Sequence, residues 1–377
     1  MLDGGVRVQL LIGPLVAVPV GRDILEALES VEVIAASGEN QGGFELTFRL
    51  SRRSPLHTLF LLTGGATIPI LRVVIVAHVR GSAEVLMDGV MTNHEVRSGA
   101  NGTDTLSVKG FDLTSLMDYF PFNGLPYPAM PPALRVLLIL AKYAAFGVLP
   151  MVIPSLIEDI PIPIERIPAQ QGTDLAYMRQ LAHDVGYVFY LDPGPLPGTS
   201  RAYWGPEIRV GAPQPALNVD FDAPHRNVEG LSFTFDSKRN EIPVVFIQEP
   251  ISKAPIPIPI PYINPLSPPL GLVPPLPPVP KPLDDTAKLP PWVAAMRGIA
   301  YATQHSDTVF GSGTLNVARY GRILKSRQLV GVRGAGEAYD GLYYVTKVTH
   351  SIKRGEYKQS FSLARNGLLS TVPKVPA

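Results

Sequence analysis

GVRGAGEAYDGLYYVTKVTHSIKRGEYKQSFSLARNG, running from Gly331 to Gly367, decides the architecture. Its second half has the two-residue period of β-strands around a tight turn. On the outgoing strand, Tyr344, Thr346, Val348 and His350 fall on one face, and Tyr343, Val345, Lys347 and Thr349 on the other. The second face is mixed and suits a partner or water. Lys353, Arg354, Gly355 and Glu356 form the turn, with Gly355 free to take positive φ. On the return strand, Tyr357, Gln359, Phe361 and Leu363 oppose Lys358, Ser360, Ser362 and Ala364. Gly331, Gly334, Gly336 and Gly341 break the preceding chain into bends. Many antiparallel sheets close on such a hairpin, so the remaining chain decides what it belongs to.

The chain has 377 residues, enough for two to four domains. Its formal net charge is +1 and 17% of its residues are charged, which argues against binding that relies on phosphate neutralisation. It has no cysteine, which excludes disulfides and thiolate metal sites. The seven histidines show no HExxH or other close metal spacing. The N-terminus lacks the basic stretch, apolar core and small-residue cleavage site of an ordinary signal peptide. Forty prolines and 34 glycines rule out a long regular helical bundle and favour short strands, turns and extended connectors.

Outward from the hairpin, strand patterns recur at Val6–Val18, Ser30–Ala36, Phe44–Leu50, Arg72–Val79, in a pair around Asp88-Gly89, and at Thr105–Val108, with Gly110 ending the last. Phe44, Leu46, Phe48 and Leu50 point inward. Residues 1–111 therefore read as a first small β-barrel or sandwich, closure being the usual answer to exposed sheet edges. Residues 112–170 form a helical and proline-rich connector. Within it Ala133–Gly147 is helical, with Leu134, Leu137, Leu138 and Ala141 as a face. Arg135, Lys142 and Pro150 interrupt that apolar run, leaving it short of the roughly twenty residues a membrane span needs. Residues 171–215 form a small α+β domain: a helix capped by Thr173 or Asp174 and ended by Gly186, then strands. His183, near that helix end, reads as a capping or surface residue.

A second β domain comprises residues 216–249 plus 314–367, interrupted by a proline-rich strap and helix at 250–313; residues 368–377 are a tail. Pro250–Pro291 holds 16 prolines in 42 residues. Its Pro255–Pro261 run cannot donate ladder hydrogen bonds at alternate positions, and its isoleucines and leucines favour a strap packed on a neighbour over a mobile loop or a displayed polyproline ligand. Strand, glycine-bearing turn and strand occur both at Val31–Phe48 and at Val345–Leu363. Hairpins are common, but a true duplication would let three subunits present six similar units around an axis.

Catalysis finds little support. Asp284-Asp285 lies in the strap, and Glu158-Asp159 has no helix face to set a carboxylate separation. Gly311-Ser312-Gly313 is half of a nucleophile elbow without its frame, and no nucleotide-binding glycine loop is present. Arg52-Arg53, Arg322–Arg327 and Lys353-Arg354 are small basic groups suited to solvent or subunit contacts. The sequence thus points to no enzyme, no cofactor, no metal and no nucleic-acid sequence recognition.

Three segments carry a family resemblance: VLMDGVM at Val85–Met91 with LSVKGFDLTSLMD at Leu106–Asp118, GTDLAYMRQLAHDVGYVFYLD at Gly172–Asp192, and YDGLYYVTKVTHSIKRGEYKQSFSLARNG at Tyr339–Gly367. In order and spacing the chain resembles baseplate hub proteins of contractile phage tails and phage-like contractile injection systems. This group includes the phage late control D protein family and is similar to the hub portion of type VI secretion spike proteins. Tyr127–Pro154 looks most like hubs of extracellular injection systems. Some relatives continue into an OB-like domain and a needle-like β-helix; this chain ends soon after Gly367, so the resemblance implies a separate spike protein.

The implied fold is mainly β with α+β insertions, built on two similar antiparallel β-barrel domains. The implied assembly is a homotrimer whose pseudo-six-fold ring joins a hexameric inner tube protein to a trimeric spike protein, among baseplate wedge proteins and without a stable membrane span. It would assemble in the bacterial cytoplasm as part of a phage tail or injection particle, with release from the cell left open. The alternatives are a cell-wall-processing enzyme of the same particle and a membrane-associated pore component. Subunit-contact candidates are Glu45, Thr47, Arg49, Lys358, Ser360 and Ser362; the core is expected to contain Phe44, Leu46, Phe48, Val348, Phe361 and Leu363; Gly89, Gly110, Gly341 and Gly355 are expected to hold tight backbone geometry.

Overall fold

The structure, a computed structural model, describes residues 6–372 except 38–40, 52–53, 63–69, 100–103, 156–162, 165–166, 220–225, 250, 253, 263–265, 277 and 285. Arg52-Arg53, Glu158-Asp159 and Asp285 therefore lie outside the described residues. The first part carries β1 (Val6–Gly13), β2 (Val18–Pro19), α1 (Arg22–Ala27), β3 (Leu28–Ala36), β4 (Gly43–Leu50), β5 (Arg72–Val79), β6 (Ser82–Ser98) and β7 (Asp104–Asp112). The middle carries α2 (Thr114–Met117), α3 (Pro132–Ala141), β8 (Val148–Val152), α4 (Asp174–Val185), β9 (Tyr187–Pro193) and β10 (Ser200–Pro206). Then follow β11 (Gln214–Asn218), β12 (Val228–Phe235), β13 (Glu241–Gln248), β14 (Pro255–Pro259), β15 (Gly271–Val273), β16 (Val279–Pro282) and α5 (Pro291–Gln304). The chain closes with β17 (Val309–Asn316), α6 (Val317–Tyr320), β18 (Leu329–Arg333), β19 (Gly341–Lys353), β20 (Glu356–Arg365) and β21 (Leu368–Ser370).

The two expected barrels are not closed. Their strands form one open thirteen-stranded sheet with the path β12-β17-β20-β19-β3-β4-β7-β6-β5-β1-β2, and β11 and β18 branch from β19. The joint is β19 against β3, antiparallel from Lys347↔Ala36 to Lys353↔Ser30. This pairing is the physical reason closure fails. The strand edges of β19 and β3 that closing each half would have used are satisfied by each other, while β12 and β2 remain the two ends of the open sheet. Between β1 and β3 lies instead a cavity of about 550 Å³, bordered by Arg7 and Val8, by Arg22 and Leu25 of α1, and by Ser30 and Val31.

Local alternation sets the inner face. Phe44, Leu46, Phe48 and Leu50 are buried in β4, and one apolar cluster runs through both halves, from Val33 and Phe48 to Val348, Phe361 and Leu363. The faces of β19 differ from simple alternation. A bulge between Val345 and Lys347 inserts Thr346. Tyr343 and Val345 consequently join Val348 and Ile352 in the core, while Lys347, Thr349 and Ser351 face out. Asp88-Gly89 is not a turn, because β6 runs through it for 17 residues. Gly110 likewise lies within β7. A Cβ at Gly89 or Gly110 would lie 2.2 Å from the Phe111 carbonyl oxygen or 2.1 Å from that of Val90, where β6 and β7 approach each other beneath the Phe44 ring. Gly355 (φ +80°) sits in the two-residue turn between Lys353 and Glu356, and Gly341 (φ +128°) opens β19.

The middle unit packs α3 and α4 on the sheet β8-β10-β9. In α4 the Thr173 hydroxyl accepts from the Ala176 amide at 3.2 Å, and Gly186 ends the helix at φ +73°. The α3 face is reversed: Ala133, Val136, Ile139 and Leu140 are buried, whereas Leu134, Leu137 and Leu138 are exposed. Arg72 ties this unit to the large sheet. Its guanidinium holds Asp88 at 2.7 and 2.6 Å and donates to the carbonyls of Leu15, Phe146 and Gly198. The strap is ordered against its own chain. β14 pairs with β13 in a three-stranded sheet with β16, its prolines alternating with Ile256 and Ile258. An edge strand tolerates proline where the missing N–H would face outward.

Candidate partner-binding face

Opposite the core, the large sheet presents a polar face that crosses the β19–β3 joint without interruption. One row runs Asn316, Lys358, Ser351, Glu32, Glu45, Lys109 and Asn93 across β17, β20, β19, β3, β4, β7 and β6. A second runs Lys353, Ser30, Thr47, Ser107 and Glu95. In the second half, Thr314, Ser360 and Thr349 align, as do Ser232, Ser312, Ser362 and Lys347. All five residues Glu45, Thr47, Lys358, Ser360 and Ser362 thus share one face, although they belong to hairpins remote in sequence. Glu45 and Lys358 stand three strands apart, about 14 Å at ordinary strand spacing.

The side chains on this face are held in place. Glu45 accepts from the Ser107 hydroxyl at 2.6 Å and pairs with Lys109 at 3.4 Å. Lys358 bridges Glu229 and Glu356, each at 3.0 Å, and the two carboxylates hold its ammonium pKa above the usual lysine value. Arg49 pairs with Glu29 at 3.0 Å near the rim. The Ser232 and Ser312 hydroxyls meet at 3.0 Å. Over β12, β17 and β20 the face dips into a shallow concavity of about 760 Å³, bordered by Glu229, Ser232, Thr314, Lys347 and Lys358.

These exposed pairs contribute little to stability, because water and salt screen them. What they provide is a stiff pattern of alternating charge and small hydroxyls, the chemistry of a wet, specific protein contact. Sequence reading missed Glu32 and Lys109, which complete the central row. The signal was available: each alternates with buried neighbours, Val31 and Val33 or Val108 and Gly110.

Catalytic geometry does not assemble on this face. Gly311-Ser312-Gly313 lies inside β17 rather than at a strand-to-helix turn. Among the described residues, no three His, Asp or Glu side chains come together to hold a metal ion. Among them, too, no helix is long and apolar enough to cross a membrane.

No family model matches the chain, and no curated protein matches it. Solved structures do. A tail protein from Neisseria meningitidis MC58 superposes with a TM-score of 0.64 at 15% identity, covering 97% of this chain and 98% of that one. The 43 kDa tail protein of prophage MuSo2 from Shewanella oneidensis gives 0.62 at 13%, covering 96% and 98%. An E. coli component of the type VI secretion system, with structural similarity to T4 bacteriophage tail proteins gp27 and gp5, gives 0.53 at 12%, covering 93% and 76%. The chain has the fold of these tail and secretion-system proteins along nearly its whole length.

Proposed function

We propose that the chain is a structural hub of a contractile tail or injection particle. Three copies form a ring in which residues 1–111 and residues 216–249 with 314–367 alternate, giving six related units. The ring seats a hexameric inner tube on one side and a separate trimeric spike on the other. Glu45, Thr47, Arg49, Lys358, Ser360 and Ser362 serve as contacts. One observation carries the reading: in a fold shared with phage tail proteins, two hairpins from opposite ends of the chain contribute to a single unbroken polar face.

Solution mass tests it. Light scattering of the chain mixed with a trimeric spike protein of the same particle is expected to show a ring-shaped species containing three copies, about 122 kDa from this chain at 40.7 kDa each. A chain that stays monomeric with both spike and tube proteins present refutes the ring.

A further inference from the structure

The segment Gly321–Gln328 joins both halves of the large sheet to the middle unit. Gln214 grips Lys325 twice, accepting from its amide at 2.8 Å and donating to its carbonyl at 2.9 Å. The Lys325 ammonium pairs with Glu84 of β6 at 2.8 Å. The Arg327 guanidinium donates to the Ala36 carbonyl at the end of β3 and lies 4.0 Å over the Tyr190 ring of the middle unit. The central grip is buried. Gln359 accepts from the Leu324 amide at 2.9 Å and donates to the Leu324 carbonyl at 2.8 Å.

That double bond fixes which way the Gln359 amide points. Its second N–H is directed at His350 Nδ1, 3.4 Å away, and the Tyr357 hydroxyl meets the same nitrogen at 2.8 Å. Two donors converge there, so Nδ1 is the acceptor and the neutral ring carries its hydrogen on Nε2. Acquiring a second proton requires Nδ1 to become a donor. Tyr357 could rotate its hydroxyl to accept. Gln359 cannot, because turning its amide breaks both bonds to Leu324.

We propose that Gly321–Gln328 is a proton-sensitive clasp: protonation of His350 at Nδ1 breaks the Gln359 grip on Leu324 and frees the segment from the three units it joins, while the strands stay paired. A cavity of about 350 Å³ lies beside the ring, bordered by Glu84, Tyr190, Asp192, Arg201, Lys325 and Arg327. Among the described residues, these are the titratable and charged side chains that line the cavity with His350, and Tyr357 bonds the ring. Burial supports the direction, holding the His350 pKa down at about 4 against 6.5 for a free histidine.

Hydrogen exchange on the full chain, corrected for the intrinsic pH dependence of exchange, tests the clasp. Linkage over that interval multiplies its opening equilibrium by about 60 between pH 7 and pH 4.5. Peptides spanning 321–328 are expected to lose protection by that factor, together with the Val345 amide that donates to the Gln328 carbonyl, while those of β20 and of β19 from Val348 onward keep theirs. H350Q retains an acceptor for Gln359 but does not titrate, and is expected to abolish the response. E84Q removes the ion pair with Lys325 and is expected to leave it intact. Loss of strand and clasp protection at one midpoint overturns the proposal, as does a wild-type response in H350Q. Should H350Q not fold, carbon-labelled histidine NMR of the wild type decides: one ring must titrate at the midpoint of clasp opening, and the lack of such a ring also overturns it.

Discussion

Arg72→Met should be among the most damaging single substitutions in the chain. Arg72 and Asp88 are only 3% and 2% exposed. The guanidinium makes two bonds to the carboxylate and three to carbonyls of Leu15, Phe146 and Gly198, segments from both the large sheet and the middle unit. Burial already raises the Asp88 pKa, against the lowering effect of Arg72. Methionine fills much of the volume but leaves the carboxylate with the Ser200 hydroxyl at 3.4 Å. Losing one partner of a buried pair costs about 3–5 kcal/mol, chiefly because a buried charge is left uncompensated. The companion change Asp88→Asn removes that charge. R72M/D88N should therefore be less destabilised than the sum of the two single variants, with a coupling of at least about 1.5 kcal/mol. Urea unfolding read by Trp204, fully buried in the middle unit, in a Trp292→Phe background measures all four states. An R72M cost below about 1 kcal/mol, or additivity within about 0.5 kcal/mol, would refute the reasoning.

Gly110→Ala forces a methyl group to within 2.1 Å of the Val90 carbonyl and 2.5 Å of the Phe44 ring, and should cost about 2–4 kcal/mol. Gly355→Ala, at φ +80° in an open turn with nothing within 4 Å of the new methyl, should cost only about 1 kcal/mol; thermal melts of the two variants compare them. Thr173→Ala removes the α4 cap and should lower stability by about 1 kcal/mol, seen in the same Trp204 transition. Lys358→Glu places three carboxylates together with Glu229 and Glu356. On the proposed hub reading it should weaken co-assembly with the tube protein at least tenfold in a pull-down titration while leaving the monomer fold intact by circular dichroism.

Legibility followed the range of the interactions involved. Phe44 to Leu50 and the caps Thr173 and Gly186 were readable because alternation and capping are local. The two halves were visible as hairpins, but their joining was not: β19 pairs with β3 through backbone groups that every strand carries, and side chains alone do not choose between closing a barrel and crossing to another half. The Thr346 bulge defeated simple alternation in the same way, because it is defined only by the partner strand. Helix α3 is apolar on both faces, so Leu134, Leu137 and Leu138 were as plausible inward as Val136 and Ile139; only packing against α4 and β8 selects. The buried pair did leave a trace. Arg72 and Asp88 each stand alone within an apolar strand, where an unpaired charge would be untenable.

The β19–β3 joint also sets a timetable. Ser30 finds Lys353 about 320 residues later in the chain. At ribosomal speeds of about 5–20 residues per second, β3 waits tens of seconds for its second neighbour. Through that interval the first half exists with an unsatisfied strand edge on nascent chain. A strand made tens of seconds later thus completes the first half, and a transcript truncated before β19 would yield a protein whose β3 is left open to pairing with strangers.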